Sequence, residues 1–169
     1  DIFNYLPNLM SLDVSDNDFG SVGTRKLTNL SHLETLIMRH VSLTQLPDDF
    51  LQHFPNLKYL DLHRNKIEQF SANAFQNVTK LKFLNLSTNL ISNFPAPPFP
   101  SATLRSLEAF DFAYNYFQCD CEIIKLQKWI NDVLSDPKKH NLLSRYPDDY
   151  WCYNPKSLYQ ISLKDAKPD

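Results

Sequence analysis

LKYLDLHRNKI, residues 57–67, decides the fold. Apolar residues stand at positions 1, 4, 6 and 11 of this stretch, and an Asn stands at position 9. The same layout recurs as LMSLDVSDNDF from Leu9, LETLIMRHVSL from Leu33, LKFLNLSTNLI from Leu81 and LEAFDFAYNYF from Leu107. The starts are 24, 24, 24 and 26 residues apart. Position 14 is Val22, Leu46, Phe70 and Phe94; position 19 is Leu27, Leu51, Phe75 and Phe99; position 22 is Leu30, Phe54 and Val78. Phe3 and Leu6 take positions 19 and 22 of an earlier repeat. A fixed period of this length marks a solenoid of stacked coils.

The pattern L-x-x-L-x-L-x-x-N-x-L predicts an α/β leucine-rich-repeat solenoid with short parallel strands on its concave face. Strands are expected within Leu9–Ser15, Leu33–Arg39, Leu57–His63, Leu81–Ser87 and Leu107–Ala113. Positions 4 and 6 point into the coil and positions 3 and 5 point out, because successive strand residues alternate. No coil buries both of its faces alone, so neighbours must stack. The chain has only two Gly against eleven Pro. Asn17, Asn65, Asn89 and Asn115 at position 9 are therefore the expected turn formers, their amides serving backbone groups that a tight turn leaves open. Val41 replaces Asn in the second repeat, where a weaker ladder is expected. Pro47 and Pro95 at position 15 favour extended or 3₁₀ backbone on the convex side. Between Phe94 and Ser106 the coil carries two extra residues and four prolines, read as a stiff surface loop.

Residues 119–169 form a second unit after repeats over 1–118. Cys119 and Cys121 make a C-x-C pair. Ile123, Leu126, Ile130 and Val133 then give one apolar helix face, with Asp120 as N-cap and Pro137 as the stop. Such a helix would cover the open end of the stack, and a disulfide from the C-x-C pair to Cys152 would pin it. Zinc needs four good ligands and finds only His140 between Cys121 and Cys152. No cofactor or metal is expected. The sequons at Asn29, Asn77 and Asn85 point to an extracellular setting.

The stretch NYFQCDCEIIKLQKWI, followed by YPDDYWCYNP, resembles the C-terminal cap of Toll-like receptor ectodomains. LRSLEAFDFAYN just before it is similar to their last repeat. The resemblance implies pairing of first with third cysteine, Cys119–Cys152, and leaves Cys121 waiting for a fourth. It implies the membrane-proximal ectodomain of an innate immune pattern-recognition receptor. That receptor would be a single-pass glycoprotein at the cell surface or in the endosome, acting in inflammatory signal transduction. Its partners would be a microbial ligand of unknown type and a second receptor chain, as homo- or heterodimer. The isolated chain would be monomeric. Rival readings are an antigen-binding variable lymphocyte receptor and an extracellular adhesion or matrix protein.

The net charge of −2 gives no global pull toward nucleic acid or anionic membrane, and no apolar run of about 18 residues is present. The opening DIFNYLPNL reads as the inside of a domain, so the chain is expected to be cut from a longer one. No nucleophile elbow, phosphate loop or H-E-x-x-H motif argues for an enzyme. His40 and His63 on neighbouring strands are read as solvated. The candidate ligand or partner surface is Arg39, His40, Tyr59, His63, Arg64 and Phe83 on the concave side. Phe99 in the Pro95–Pro100 loop is added as a contact to a partner chain.

Overall fold

The computed structural model describes residues 2–18, 27–143 and 149–168. Five strands make one parallel sheet: β1 (Ser11–Asp13), β2 (Thr35–Ile37), β4 (Tyr59–Asp61), β6 (Phe83–Asn85) and β7 (Ala109–Asp111), in that spatial order. Each residue pairs with its equivalent in the next repeat, as in Leu36↔Leu60↔Leu84↔Phe110. The strands are the positions 3 to 5 of the repeat. Leu36, Leu60, Leu84 and Phe110 at position 4 are buried, as are Met38, Leu62, Leu86 and Phe112 at position 6. Val22 lies outside the described residues. Two-residue strands β3 (Gln45–Leu46) and β5 (Gln69–Phe70) pair where the chain leaves the turn. On the convex side are 3₁₀ turns at Leu51–His53 and Ala72–Phe75.

The position-9 amides form the expected ladder. Asn65 Oδ1 accepts from the backbone N–H of Val41 and Leu43, while its Nδ2 donates to the carbonyls of Met38 and Leu62. Asn89 and Asn115 repeat this between later coils. Asn does not, however, take up the strained backbone of the turn. The left-handed residue common to all five turns is at position 8: Asp16, His40, Arg64, Thr88 and Tyr114, with φ of 59, 52, 56, 56 and 56°; in the Val41 turn Ser42 adds a second at 60°. Asn is needed one residue later, where its amide can reach carbonyls of two coils at once. The Val41 side chain cannot donate, so the carbonyl of Val14 lacks the cross-coil amide that Leu62 and Leu86 receive. Val41→Asn should supply it and raise stability by about 1 kcal/mol. A urea midpoint that falls instead would show that apolar packing at Val41 outweighs the missing rung.

The proline-rich coil departs from the expected surface loop. Within Pro95–Pro100, Pro98 and Phe99 are buried and only Ala96 and Pro97 are exposed. A short helix, α1 (Ser101–Ser106), follows. Phe99 is 1 % exposed and its ring meets Phe75, Phe110 and Trp129 edge-on, with centroids at 5.1, 4.9 and 6.2 Å. It is the position-19 core residue of its coil, not a partner contact. Four residues further, Thr103 buries its hydroxyl by donating to the carbonyl of Phe75 at 2.7 Å.

The end of the stack is closed by β8 (Phe117–Gln118), α2 (Ile123–Ser135) and β9 (Cys152–Asn154), with β8 and β9 parallel. Ile123, Leu126, Trp129, Ile130 and Val133 form the buried face of α2. Asp120 is not its N-cap. Its carboxylate accepts from Glu122 N–H and closes the turn before the helix, while Glu122 at the cap makes no side-chain capping bond. The helix stops at Ser135, two residues before Pro137. Cys119 and Cys152 are bonded, with Cα atoms 5.6 Å apart. Cys121 is exposed and lies outside that bond. Phe112 and Tyr150 stack at 4.1 Å, so the last coil has no open apolar end here.

Candidate functional site

Two surfaces carry features beyond those needed to fold a coil. The first is the concave face of β2, β4 and β6. Position 3 brings Tyr59 and Phe83 side by side on neighbouring strands. Their rings stack 4.4 Å apart, 7° from parallel. Position 5 brings Asp61 between Arg39 and His63. Both Nε and Nη2 of Arg39 donate to Asp61 Oδ2, at 2.8 and 2.7 Å, and His63 N–H donates to Oδ1. Asp61 is 1 % exposed although position 5 points outward. Neighbouring side chains, not the coil interior, enclose it.

The bond to Asp61 holds the Arg39 guanidinium above its usual value. Burial, then the nearby Asp61 charge, pushes the Tyr59 phenol up as well. The four basic residues therefore offer less uncompensated positive charge than their count suggests. Arg39 is matched by Asp61, and His40 Nδ1 lies 3.0 Å from Asp16 Oδ1. His63 Nδ1 lies 3.0 Å from Ser87 Oγ. The two histidines thus engage different partners and do not converge on one point. Arg64 is exposed. Among the described residues no group of three His, Cys, Asp or Glu is placed to hold a metal ion.

A second ladder runs through this face. Asp13, Asp61, Asn85 and Asp111 at position 5 each accept from the backbone N–H of position 7: Ser15, His63, Ser87 and Ala113. At the Ile37 coil, Arg39 N–H goes instead to Ser15 Oγ. An Asp or Asn at position 5 in four of five repeats was the signal for it in the sequence. Hydrogen bonding to Ser15 also lowers the Asp13 carboxyl below its usual range.

The second surface lies on the flank where the chain turns off the last two concave strands. Leu90, Tyr114, Tyr116, Trp151, Tyr153 and Tyr159 are each 37 to 52 % exposed. They are six of the eleven large apolar side chains exposed among the described residues. Tyr116 meets Tyr153 at 4.5 Å, Tyr153 meets Tyr159 at 5.9 Å, and Tyr114 meets Trp151 at 5.7 Å. A groove of about 400 Å³ runs between Thr88, Leu90, Tyr114, Tyr116 and Tyr153. The Tyr114 hydroxyl donates to Asp149, which ties the strand end to the cap. Sequence reading missed this patch because the cap tyrosines carry no period that places them beside position 10 of a repeat.

The three sequons occupy different settings. Asn29 and Asn77 are exposed, whereas Asn85 is half-buried on β6.

A family model described as leucine rich repeat matches residues 31–91. Curated human proteins align with nearly the whole chain. Toll-like receptor 6 is 32% identical over 95% of it and Toll-like receptor 1 is 31% identical over 95% of it. Toll-like receptor 5 is 29% identical over 79%. The chain spans 22% of the length of Toll-like receptors 6 and 1, and 14% of Toll-like receptor 5.

Proposed function

This chain is a leucine-rich-repeat segment of the Toll-like receptor family, and from that premise we propose that it pairs with a second receptor chain through its aromatic flank. In this reading it is the membrane-proximal ectodomain part of an innate immune receptor. The receptor takes a microbial ligand and signals when two such ends are brought together, as a homo- or heterodimer. It is a single-pass membrane protein of the cell surface or endosome and has no catalytic role. The fragment alone is monomeric, with ligand and further repeats supplying most of the association energy. Asn29 and Asn77, both exposed, carry glycans. Among the described residues no helix is long and apolar enough to cross a membrane.

The observation that carries this reading is the gathering of exposed aromatic side chains at the flank rather than on the concave face. Tyr and Trp are favoured as interface anchors because each buries a large area at small entropy cost and keeps a polar tip for the rim. The concave cluster is already internally paired, so a ligand there must compete with Asp61 for Arg39. The groove lining of the flank contains no Lys, Arg, Asp or Glu, although the Tyr114 hydroxyl at its edge is held by Asp149.

The test is the full-length receptor carrying Tyr116→Ser and Tyr153→Ser. Loss of central anchors costs about 2 kcal/mol or more each, roughly thirty-fold in association. Surface display should stay normal while ligand-induced association and signalling fall. Normal association at normal display would remove the flank from consideration.

A further inference from the structure

We infer that Asn85 carries an N-linked glycan whose first N-acetylglucosamine packs against Phe83 and occupies the space over Ala109. The glycan would close the concave aromatic face to ligands. The inference rests on the secretory route proposed above, since only a chain entering that route meets the glycosylation machinery.

The motif is Phe83-Leu84-Asn85-Leu86-Ser87, a sequon with an aromatic residue two places before its Asn. On strand β6 residues two apart share a face and lie about 7 Å apart. Leu84 and Leu86 go into the core, fully buried, which leaves Phe83 and Asn85 on the concave side. Asn85 Oδ1 is held by Ser87 N–H at 2.9 Å and by the Ser87 hydroxyl at 2.6 Å. Among the described residues its Nδ2 makes no hydrogen bond. The amide is thus oriented by one atom and open at the atom that bears sugar.

One face of Phe83 is covered by Tyr59. The other turns toward β7, where the paired residue is Ala109. Strands stand roughly 4.8 Å apart, and Ala109 is the smallest side chain in the row Ser11, Thr35, Tyr59, Phe83, Ala109. The row therefore steps down by one ring at Ala109, with the Leu142–Leu143 segment pairing with β7 on its far side. A pyranose matches that step. Its α face presents the axial hydrogens H1, H3 and H5, which suit the negative face of an aromatic ring, and its hydroxyls remain toward water.

Glycan transfer takes place on the extended chain, before Ser87 is buried against His63. Asn85 Nδ2 attacks C1 of a polyprenyl-diphosphate-linked oligosaccharide. The N–C1 bond forms, the C1–O bond breaks with its electron pair leaving on the diphosphate, and one amide proton is released.

The experiment uses this chain secreted from glycosylating cells. Enzymatic removal of glycans in heavy-oxygen water converts each occupied Asn to labelled Asp, read by peptide mass. Asn85 should be labelled. On protein trimmed to a single N-acetylglucosamine, H1, H3 and H5 of the Asn85 sugar should be shifted upfield by the ring current. Phe83→Ser, which keeps the sequon, should abolish the shift. Ala109→Trp, which keeps Phe83 and fills the step, should return the sugar protons to solvent-like positions. An unlabelled Asn85 beside a labelled Asn29 or Asn77 overturns the inference and leaves the secretory reading intact. If none of the three is labelled, both fall. A labelled Asn85 whose sugar shifts are the same in wild type, Phe83→Ser and Ala109→Trp overturns the packing.

Discussion

Phe99→Ala should destabilise the chain by about 3–5 kcal/mol, the range for truncating a fully buried aromatic ring. The ring sits at the junction of three elements: Phe75 on the preceding convex turn, Phe110 on β7 and Trp129 on α2. No single neighbour can move in to fill the space, because each is held by its own layer. For a chain of this length the thermal midpoint should fall by on the order of 10 °C. Coils in a solenoid touch only their neighbours, so the damage should be local. Amide exchange should speed up in β6, β7 and α2 and stay near wild type in β2. A loss of less than about 1 kcal/mol would mean that Phe99 is not the core residue described here, and would return it to the candidate partner contacts.

Breaking the disulfide is the second large effect. Cys119 and Cys152 close a loop across 33 residues. Constraining a loop of that length lowers the entropy of the unfolded chain by an amount worth about 3–4 kcal/mol at 25 °C. The bond also fixes β9 beside β8, where Cys119 N–H donates to the Asn154 carbonyl at 2.7 Å. Cys152→Ser should therefore melt at lower denaturant and release α2 first. It should also be secreted poorly, since the last coil loses its cover at Phe112. Non-reducing peptide mapping of wild type should give a linked Cys119–Cys152 peptide. A Cys121–Cys152 peptide would show that the pairing is wrong, and an unchanged urea midpoint in Cys152→Ser would show that packing alone holds the cap.

The strands and their register were legible from Leu9 to Asp111 because a solenoid core is nearly one-dimensional. Each layer needs the same apolar positions, so the repeat in the sequence is the repeat in space. The cap helix was legible for the same kind of reason: Ile123, Leu126, Ile130 and Val133 describe one face without reference to anything distant. The position-9 ladder could be anticipated from Asn65, Asn89 and Asn115. The left-handed residue one place earlier could not, because Asp16, His40, Arg64, Thr88 and Tyr114 share no chemistry.

Tertiary structure decided the rest. Two extra residues before β7 left the register of the proline-rich coil open, and only closure of that coil on Phe75 and Phe110 sends Phe99 inward. Position 5 points Asp61 out of the coil, yet Arg39 from the preceding coil and Tyr59 beside it cover its carboxylate. Tyr116 and Tyr153 are 37 residues apart in sequence and 4.5 Å apart in space. Apolar periodicity determines which residues line a layer, because burial repeats with the coil. The charge balance and exposure of a surface side chain depend on the residue that faces it from another coil or from the cap, and no period in the sequence specifies that neighbour.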